Sequence, residues 1–331
     1  MNICIIGSSG HYSYVTQGIR DNKELKLVGV APGSDVDSAE DLKRIADEFG
    51  CKPYDSYAEM LDIEKPDVAG ISSRYDLNAD ISIDCLNRGI HCMTEKTIAH
   101  SYEKLDAIRK AAENSGKTII AMHAMRYTPE FYAAYKALEK GAIGEPRLIT
   151  GQKSYGFNSA RPEFYKARDT YGGTILWVAS HAIDWAYWMM GEFKTIYALH
   201  SAKNNLNYGT CEMVAAIAFS FPNGAIGTIN SDFYQPKKSK TPGDQIRIAG
   251  DKGIIQVRNN KAFLTTDDQE KIELPLETGD FFGDFCRELQ GNGKCRLSML
   301  DTFNVTNLCL RARESADLGG KVFNIKTKRG D

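Results

Sequence analysis

Apolar runs of strand length alternate with amphipathic stretches of helical length over residues 1–124. The apolar runs carry little polar alternation, and each is followed by a segment long enough for a crossover helix. This rhythm predicts parallel strands joined by helices, in a sheet that is covered on both faces. The strands that we predict here are residues 1–6, 25–31, 68–71, 91–94 and 118–121.

The first predicted strand runs directly into a turn that contains two glycines. Glycine lets the backbone approach a pyrophosphate closely, and the N–H groups at the following helix start attract its charge. The strict G-x-G-x-x-G spacing is not met, so an ordinary strand–turn–helix stays open as an alternative. The candidate cofactor ligands in this turn are Gly7, Ser8, Ser9, Gly10, His11 and Tyr12.

Other candidates follow neighbouring strands, because the carboxyl ends of parallel strands face one crevice. Glu95 and Lys96 come just after residues 91–94, where a lysine can stabilise negative charge on a substrate oxygen. A surface Glu–Lys pair is the alternative. After the second strand, Ala31 and Pro32 fill the usual acidic position and leave Ser34 or Asp35 as displaced candidates. The further cofactor candidates, which a polar loop would explain equally well, are Ser72, Ser73, Arg74 and Tyr75.

The pattern changes after residue 124. Longer alternating runs are typical of antiparallel strands, and Pro222-Asn223-Gly224 is a hairpin signal between two of them. We therefore predict an α/β protein with a Rossmann doubly wound parallel sheet over residues 1–124. A second, α+β domain over 125–331 would hold an open, mainly antiparallel sheet. Because a large apolar sheet face is rarely exposed on a monomer, we expect a homodimer or homotetramer.

An apolar helix is predicted over residues 174–190, after a pair of glycines. The helical period places Trp177, His181, Asp184, Trp185 and Trp188 on one stripe. Such a stripe is normally core, and a helical histidine is more often a satisfied core residue. The same stripe facing a ligand would supply an imidazole as acid or base near neutral pH.

Composition excludes several classes of partner. The formal net charge of −2 gives no electrostatic footprint for nucleic acid, and no apolar run reaches membrane-spanning length. We expect a cytoplasmic protein with no nucleic-acid or membrane partner. The eight cysteines are dispersed, with no C-x-x-C pair or zinc spacing, so we expect reduced thiols and no metal.

Taken together, these segments resemble the Gfo/Idh/MocA oxidoreductase family, which includes glucose–fructose oxidoreductase and inositol dehydrogenases. Glu95-Lys96-Thr97 is similar to the family's Glu-Lys-Pro motif. The string GAIGEPR at residues 141–147 and the segment 172–184 are the most specific matches, the latter similar to G-G-G-x-L-x-D-x-G-x-H-x-x-D. The resemblance runs in the same order from Met1 to about Val322.

The resemblance implies that Lys96 is the cleft lysine, His181 the acid/base histidine and Asp184 a ligand of a substrate hydroxyl. Arg126, in another matching block, is a candidate cofactor ligand. Trp177 stands where the family usually has an aspartate, so it would pack against the sugar or the nicotinamide ring. The remaining candidate substrate ligands lie in loops of the second domain: Asn158, Arg161, Arg168 and Tyr234.

We therefore expect an NAD- or NADP-dependent oxidoreductase, with NAD favoured, that acts on a secondary alcohol of a sugar, cyclitol or related polyol. The missing acidic residue after the second strand leaves the choice of cofactor open. Two alternatives stay open. The resemblance also includes relatives that cleave glycosides while they retain their NAD. Trp177 in place of aspartate, Thr97 in place of proline and the irregular glycine turn favour instead a non-catalytic nucleotide-binding regulator.

Overall fold

A computed structural model describes residues 1–156, 161–236 and 243–325. The chain forms two compact units. The first consists of Met1–Ala124, Pro162–Gly172 and Asp280–Thr306, and the second of Met125–Arg161, Gly173–Gly279 and Asn307–Asp331. The division expected from the sequence assigns all of 125–331 to the second domain, whereas residues 162–172 and 280–306 belong to the first unit.

Among the described residues, the strands predicted for residues 1–124 occur in the order expected from the sequence. The strands are β1 (Asn2–Ile6), β2 (Lys26–Ala31), β3 (Lys52–Pro53), β4 (Val68–Ile71), β5 (His91–Thr94), β6 (Ile119–Ala121), β7 (Pro146–Ser154), β8 (Thr195–Ser201), β9 (Val214–Ser220), β10 (Ile226–Asp232), β11 (Gln245–Gly250), β12 (Gly253–Arg258), β13 (Lys261–Thr266), β14 (Gln269–Glu273) and β15 (Phe323–Asn324). The α-helices are α1 (Ser13–Asp21), α2 (Ala39–Phe49), α3 (Tyr57–Glu64), α4 (Asn78–Asn87), α5 (Tyr102–Ser115), α6 (Pro129–Glu139), α7 (Arg168–Tyr171), α8 (Ser180–Met190), α9 (Phe281–Leu289) and α10 (Met299–Asp317).

The first unit is built on a parallel sheet whose strand order, among the described residues, is β3-β2-β1-β4-β5-β6. This is the doubly wound order, and the chain reverses direction across the sheet between β1 and β4. The register aligns the last residues of β1, β2, β4 and β5 with one another. The predicted Rossmann sheet is confirmed, and the loops after these strands start from one edge.

Helix α9 packs against α1 within this unit. A Cβ atom on Gly18 of α1 would lie 2.7 Å from the Cβ of Phe282, and Phe282 is fully buried. Asp280 caps α9 by accepting a hydrogen bond from the Gly283 N–H at 2.9 Å. A segment late in the chain thereby supports the helix that follows the glycine turn.

The second unit holds a mostly antiparallel sheet of order β14-β13-β12-β11-β7-β10-β9-β8-β15 over the described residues, in which β7 and β10 pair in parallel. The hairpin predicted at residues 222–224 joins β9 and β10, and Gly224 has φ +85°. Alternate residues of β10 are buried, as a sheet covered on one face requires. The other face is mixed: Leu199 and Ile226 are exposed, but Asn230, Gln152 and Gln245 lie in one row.

The predicted helix over residues 174–190 is not one regular α-helix. A π-helical turn, Ile175–Ala179, precedes α8. Its i→i+5 pattern adds a residue to the turn, so Trp177 is not in the α-helical register with His181 that the sequence pattern predicted. Every residue from Tyr171 to Ala186 is buried, so this segment has no solvent-exposed face. No helix in the described residues is long and apolar enough to span a membrane.

Candidate functional site

The two glycines of the turn after β1 are required by close approaches of the chain. Gly7 has φ +87°, and a Cβ atom there would lie 2.7 Å from backbone atoms of Ser72 and Ser73. A Cβ on Gly10 would collide with the Glu95 carboxylate and lie 2.7 Å from Ser72 Oγ. The Ser9 N–H donates to the Ser72 carbonyl at 2.8 Å. The loops after β1, β4 and β5 therefore meet at this turn.

Asp37, in the loop between β2 and α2, joins three loops through one carboxylate. Its Oδ1 accepts hydrogen bonds from Ser8 N–H at 2.9 Å and Ser9 Oγ at 2.6 Å. Its Oδ2 accepts from the N–H of Gly33 at 3.0 Å and from Ser73 Oγ at 2.7 Å. Ser34 donates to the same oxygen through both its N–H and its hydroxyl. Sequence reasoning considered residues 34 and 35 and missed Asp37, although it is the next carboxylate along the chain.

Glu95 is buried beneath the start of α1 and binds His11. Its Oε1 accepts from the His11 backbone N–H and lies 2.7 Å from His11 Nδ1. Burial alone would raise the pKa of the Glu95 carboxyl, but the charges and hydrogen bonds of His11 and Lys96 outweigh it and hold that pKa below its ordinary value. The anionic form of Glu95 is therefore favoured at neutral pH.

Lys96 follows at the carboxyl end of β5 and is 1% exposed. The Lys96–Thr97 peptide bond is cis, and the Thr97 hydroxyl donates to the Ala99 carbonyl at 3.2 Å. Lysine is rarely buried to this degree without a functional or paired partner. The lysine predicted to be catalytic is thus buried directly after the carboxyl end of β5.

The remaining cofactor candidates of the first unit have well-defined partners. Arg74 lies between two carboxylates, 2.8 Å from Asp76 and 3.2 Å from Asp35. Tyr75 is buried in an aromatic cluster, with its hydroxyl 2.6 Å from that of Tyr165. Burial and the neighbouring Tyr165 raise the pKa of the Tyr75 phenol. These surroundings favour a packing role for Tyr75, and its cofactor contact stays a prediction.

In the second unit, Arg126 and Asp184 form a buried ion pair. Arg126 Nη2 donates to Asp184 Oδ1 at 2.7 Å, and Nε lies 3.1 and 3.2 Å from the two carboxylate oxygens. The side chains are 1% and 0% exposed. The sequence predicted Arg126 as a cofactor ligand and Asp184 as a substrate ligand. Their mutual pairing favours a structural role, and the two ligand roles stay predictions.

Trp177 and His181 are nearly buried, at 6% and 4% exposure. The other two tryptophans of the segment pack against α6: Trp185 lies 4.3 Å from the Phe131 ring and Trp188 4.3 Å from the Tyr135 ring, centre to centre. These contacts fix α8 in the core of the second unit. The packing is that of a rigid element.

The loop candidates for substrate binding lie in three different surroundings. Arg161 is half-buried, with its guanidinium 5.0 Å from the Phe233 ring. Tyr234 is 45% exposed and donates its hydroxyl proton to the Asn204 carbonyl. Arg168 begins the short helix α7, which belongs to the first unit. Asn158 lies outside the described residues.

Lys153 of β7 is a buried lysine that sequence reasoning missed. Its Nζ lies 2.5 Å from Asp244 Oδ2 and 5.8 Å from the Trp185 ring. Burial lowers the pKa of Lys153 despite the opposing charge of Asp244. Its place in an alternating strand, where a polar residue is expected to face solvent, gave no signal for burial.

The comparisons with known proteins agree on one family. The oxidoreductase family model with an NAD-binding Rossmann fold matches residues 1–123, and the GFO/IDH/MocA C-terminal domain model matches residues 131–256. A solved structure from Thermotoga maritima, described as an oxidoreductase, is 39% identical with a TM-score of 0.93. The match covers 98% of this chain and 100% of that one.

Two curated relatives match over shorter stretches. Inositol 2-dehydrogenase from Salmonella typhimurium is 23% identical over 157 residues, which is 47% of this chain and 45% of the relative. Levoglucosan dehydrogenase from Pseudarthrobacter phenanthrenivorans is 29% identical over 172 residues, 50% of this chain and 42% of the relative. The chain thus spans about half the length of the curated relatives that it matches.

Proposed function

Because the chain belongs to the Gfo/Idh/MocA oxidoreductase family, we propose that it is an NAD-dependent dehydrogenase of a sugar, cyclitol or related polyol. The curated relatives named above act on inositol and on levoglucosan, both of which carry secondary alcohols. The observation that carries the proposal is the edge of the parallel sheet. At this edge Gly7 and Gly10 leave no room for a Cβ atom, Gly10 lies against Glu95, and the buried Lys96 follows Glu95 at the end of β5.

We infer that the turn after β1 holds the pyrophosphate of a dinucleotide, as the NAD-binding Rossmann family model implies. Gly7 and Gly10 leave no room for a Cβ atom, and the N–H groups of Ser8 and His11 already bind carboxylate oxygens. Donors that bind a carboxylate also suit a phosphate, because both present anionic oxygens. The residues that would hold the cofactor are therefore the turn 7–12, with Ser34 and Ser73 bordering it.

The surroundings of Arg74 support NAD over NADP. A 2′-phosphate needs a cationic partner, but residues 32–38 contain none and include Asp35 and Asp37. Arg74, the nearest cation after β4 in sequence, is held by Asp35 and Asp76. We infer a ratio of kcat/KM for NAD over NADP of at least tenfold. Equal efficiency with the two cofactors would contradict this assignment.

Lys96 and His181 take the chemical roles in this proposal. Bound NAD supplies the hydride acceptor. Lys96 stabilises the negative charge that develops on the substrate oxygen, and the His181 imidazole takes the hydroxyl proton. Trp177 packs against the apolar face of the ring.

The test is a panel of inositols, aldoses and anhydrosugars with NAD, followed by the absorbance of NADH. Lys96→Met keeps most of the side-chain volume, and His181→Asn keeps a polar group. Each is expected to lower kcat by about 10²–10⁴-fold while the Kd for NAD changes little. Unchanged turnover in both variants would overturn the assignment of these two residues.

Two further outcomes separate the alternatives. Cleavage of a glycoside without accumulation of NADH would support the enzyme that retains its NAD. Cofactor binding without any reaction across the panel would support a regulator. The mixed outward face of the second sheet is the surface through which we propose a homo-oligomer. Light scattering that shows a stable monomer would exclude it.

A further inference from the structure

A buried carboxylate outside the sites described above lies at the start of the segment that carries Trp177 and His181. Glu212, just before β9, is 3% exposed. Its Oε2 accepts a hydrogen bond from the Thr174 N–H at 3.3 Å, and its backbone carbonyl accepts from the Thr174 hydroxyl. Thr174 immediately precedes the π-helical turn.

Gly173 explains the glycine pair that the sequence places before this helix. The residue has φ +88°, and a Cβ atom there would lie 2.5 Å from Glu212 Oε2. The open space that glycine provides is therefore filled by this carboxylate. A side chain at residue 173 would displace Glu212.

His200 of β8 lies on the other side of Glu212, at ion-pair distance. Its Nδ1 lies 3.1 Å from Glu212 Oε1, and its Nε2 lies 3.4 Å from Asp317 Oδ1, at the end of α10. The imidazole thus faces one carboxylate with each of its nitrogen atoms. Donor atoms of these three side chains also lie within 4.8 Å of one another, which a metal ion could exploit.

The arrangement of the ring argues against a metal ion. A metal bound to one imidazole nitrogen would have only one of the two carboxylates beside that nitrogen, because the other carboxylate lies at the opposite nitrogen. The cluster would then offer two ligands, fewer than the three or four protein ligands of a zinc site. The division suits instead an imidazole that faces a carboxylate on each side and thereby orients the buried one.

We propose that Glu212, oriented by His200 and Asp317, is a positioning residue that fixes where the helix carrying Trp177 and His181 begins. An anionic group at a helix N-terminus is favoured by the N–H groups there. The π-helical turn lies between this anchor and α8, so the position of Thr174 sets the turn that carries Trp177. His181 is the second residue after that turn. The inference rests on the proposed role of His181 in catalysis.

The first experiment uses the full chain and requires no substrate. Histidine is labelled with ¹³C at Cε1, and the six histidines give signals among which that of His181 is identified with His181→Asn. We expect Glu212→Ala and Gly173→Ala to shift the His181 signal and the near-ultraviolet dichroism of Trp177 in the same direction. Glu270→Gln, an exposed carboxylate on β14, is the matched control and is expected to shift neither.

The second experiment measures kinetics on whichever alcohol is oxidised. Glu212→Gln keeps an acceptor for the Thr174 N–H but loses the negative charge facing His200. We expect it to lower kcat at least tenfold, with the KM for NAD unchanged within twofold. His200→Asn is expected to lower kcat in the same sense. Because the two residues act as one unit, the double variant is expected to be no worse than Glu212→Gln.

Three results would overturn the proposal. One is an unchanged His181 signal in both Glu212→Ala and Gly173→Ala while the far-ultraviolet spectrum is native. Another is an additive loss of kcat in the double variant. The third is tight binding of Zn²⁺ alone to the wild type that His200→Asn abolishes, which would make the cluster a metal site. If no alcohol is oxidised, the proposed function fails but the His181 signal still decides this inference.

Discussion

Asp184→Asn tests whether the buried pair with Arg126 is structural. The substitution keeps the size of the side chain but removes the charge that three short contacts share. Both side chains are essentially inaccessible, at 1% and 0% exposure, so solvent cannot replace the lost partner. The Arg126 guanidinium would then stay buried without the charge of Asp184.

The expected loss follows from this burial. Breaking a buried ion pair by removing one partner costs about 3–5 kcal/mol in free energy of unfolding, mostly because one charge is left uncompensated. For a unit of this size, that corresponds to a fall in Tm of about 6–20 °C. Replacing both partners by apolar residues, Arg126→Met with Asp184→Leu, is expected to recover most of the loss because no buried charge remains.

The assay is urea unfolding followed by circular dichroism, with the Kd for NAD as a second readout. Asp268→Asn, an exposed carboxylate in the turn between β13 and β14, is the control and is expected to change stability by less than about 0.5 kcal/mol. Stability of Asp184→Asn within about 1 kcal/mol of the wild type would refute the structural role. A raised KM for the sugar in such a stable variant would instead support the predicted substrate contact.

Three further predictions concern the first unit. Glu95→Gln is expected to be less stable than the wild type at neutral pH. Because the pKa of Glu95 is lowered on folding, that difference in stability should shrink as the pH falls below about 4. A constant difference in urea unfolding from pH 7 to pH 3 would contradict this prediction. Gly7→Ala places a methyl group against the Ser72 backbone and is expected to weaken NAD binding at least tenfold in calorimetry. Gly50→Ala is the control, because Gly50 also has a positive φ but nothing within 4 Å, and it should leave the Kd unchanged. Equal effects of the two variants would contradict the close-approach argument. Phe282→Ala is expected to lower the free energy of unfolding by about 3–5 kcal/mol, since it opens a cavity against α1, and a loss below about 1 kcal/mol would show that α9 does not support that helix.

The parallel sheet could be predicted from the sequence because its signals are local. The predicted strands 68–71 and 91–94 coincide with β4 and β5, which are short and mostly apolar strands. A buried strand bounded by a turn and a helix leaves few alternatives. The resemblance to the family then assigned roles to the candidate residues, and the comparisons confirm the membership of the family.

The interior of the second unit was harder to predict because its signals depend on distant residues. The period that placed Trp177 and His181 on one stripe assumes an α-helix throughout, and the π-helical turn breaks it. Nothing local to Glu212 indicates that it contacts Thr174, His200 and residue 173, since those contacts arise only after β8 and β9 pair. A helix buried on all sides also hides which face carries function.

At two turns of this chain, the space that a glycine leaves is filled by a carboxylate side chain of the same chain. Glycine before a helix was interpreted as space for a ligand, and at Gly10 and Gly173 that space is occupied by Glu95 and Glu212. In both cases the carboxylate accepts a hydrogen bond from a backbone N–H group at a helix start. An anion-binding geometry at a helix start therefore does not by itself identify the anion. At the first site a cofactor phosphate would have to share the donors with Glu95 and Asp37, whereas at the second the carboxylate itself completes the structure.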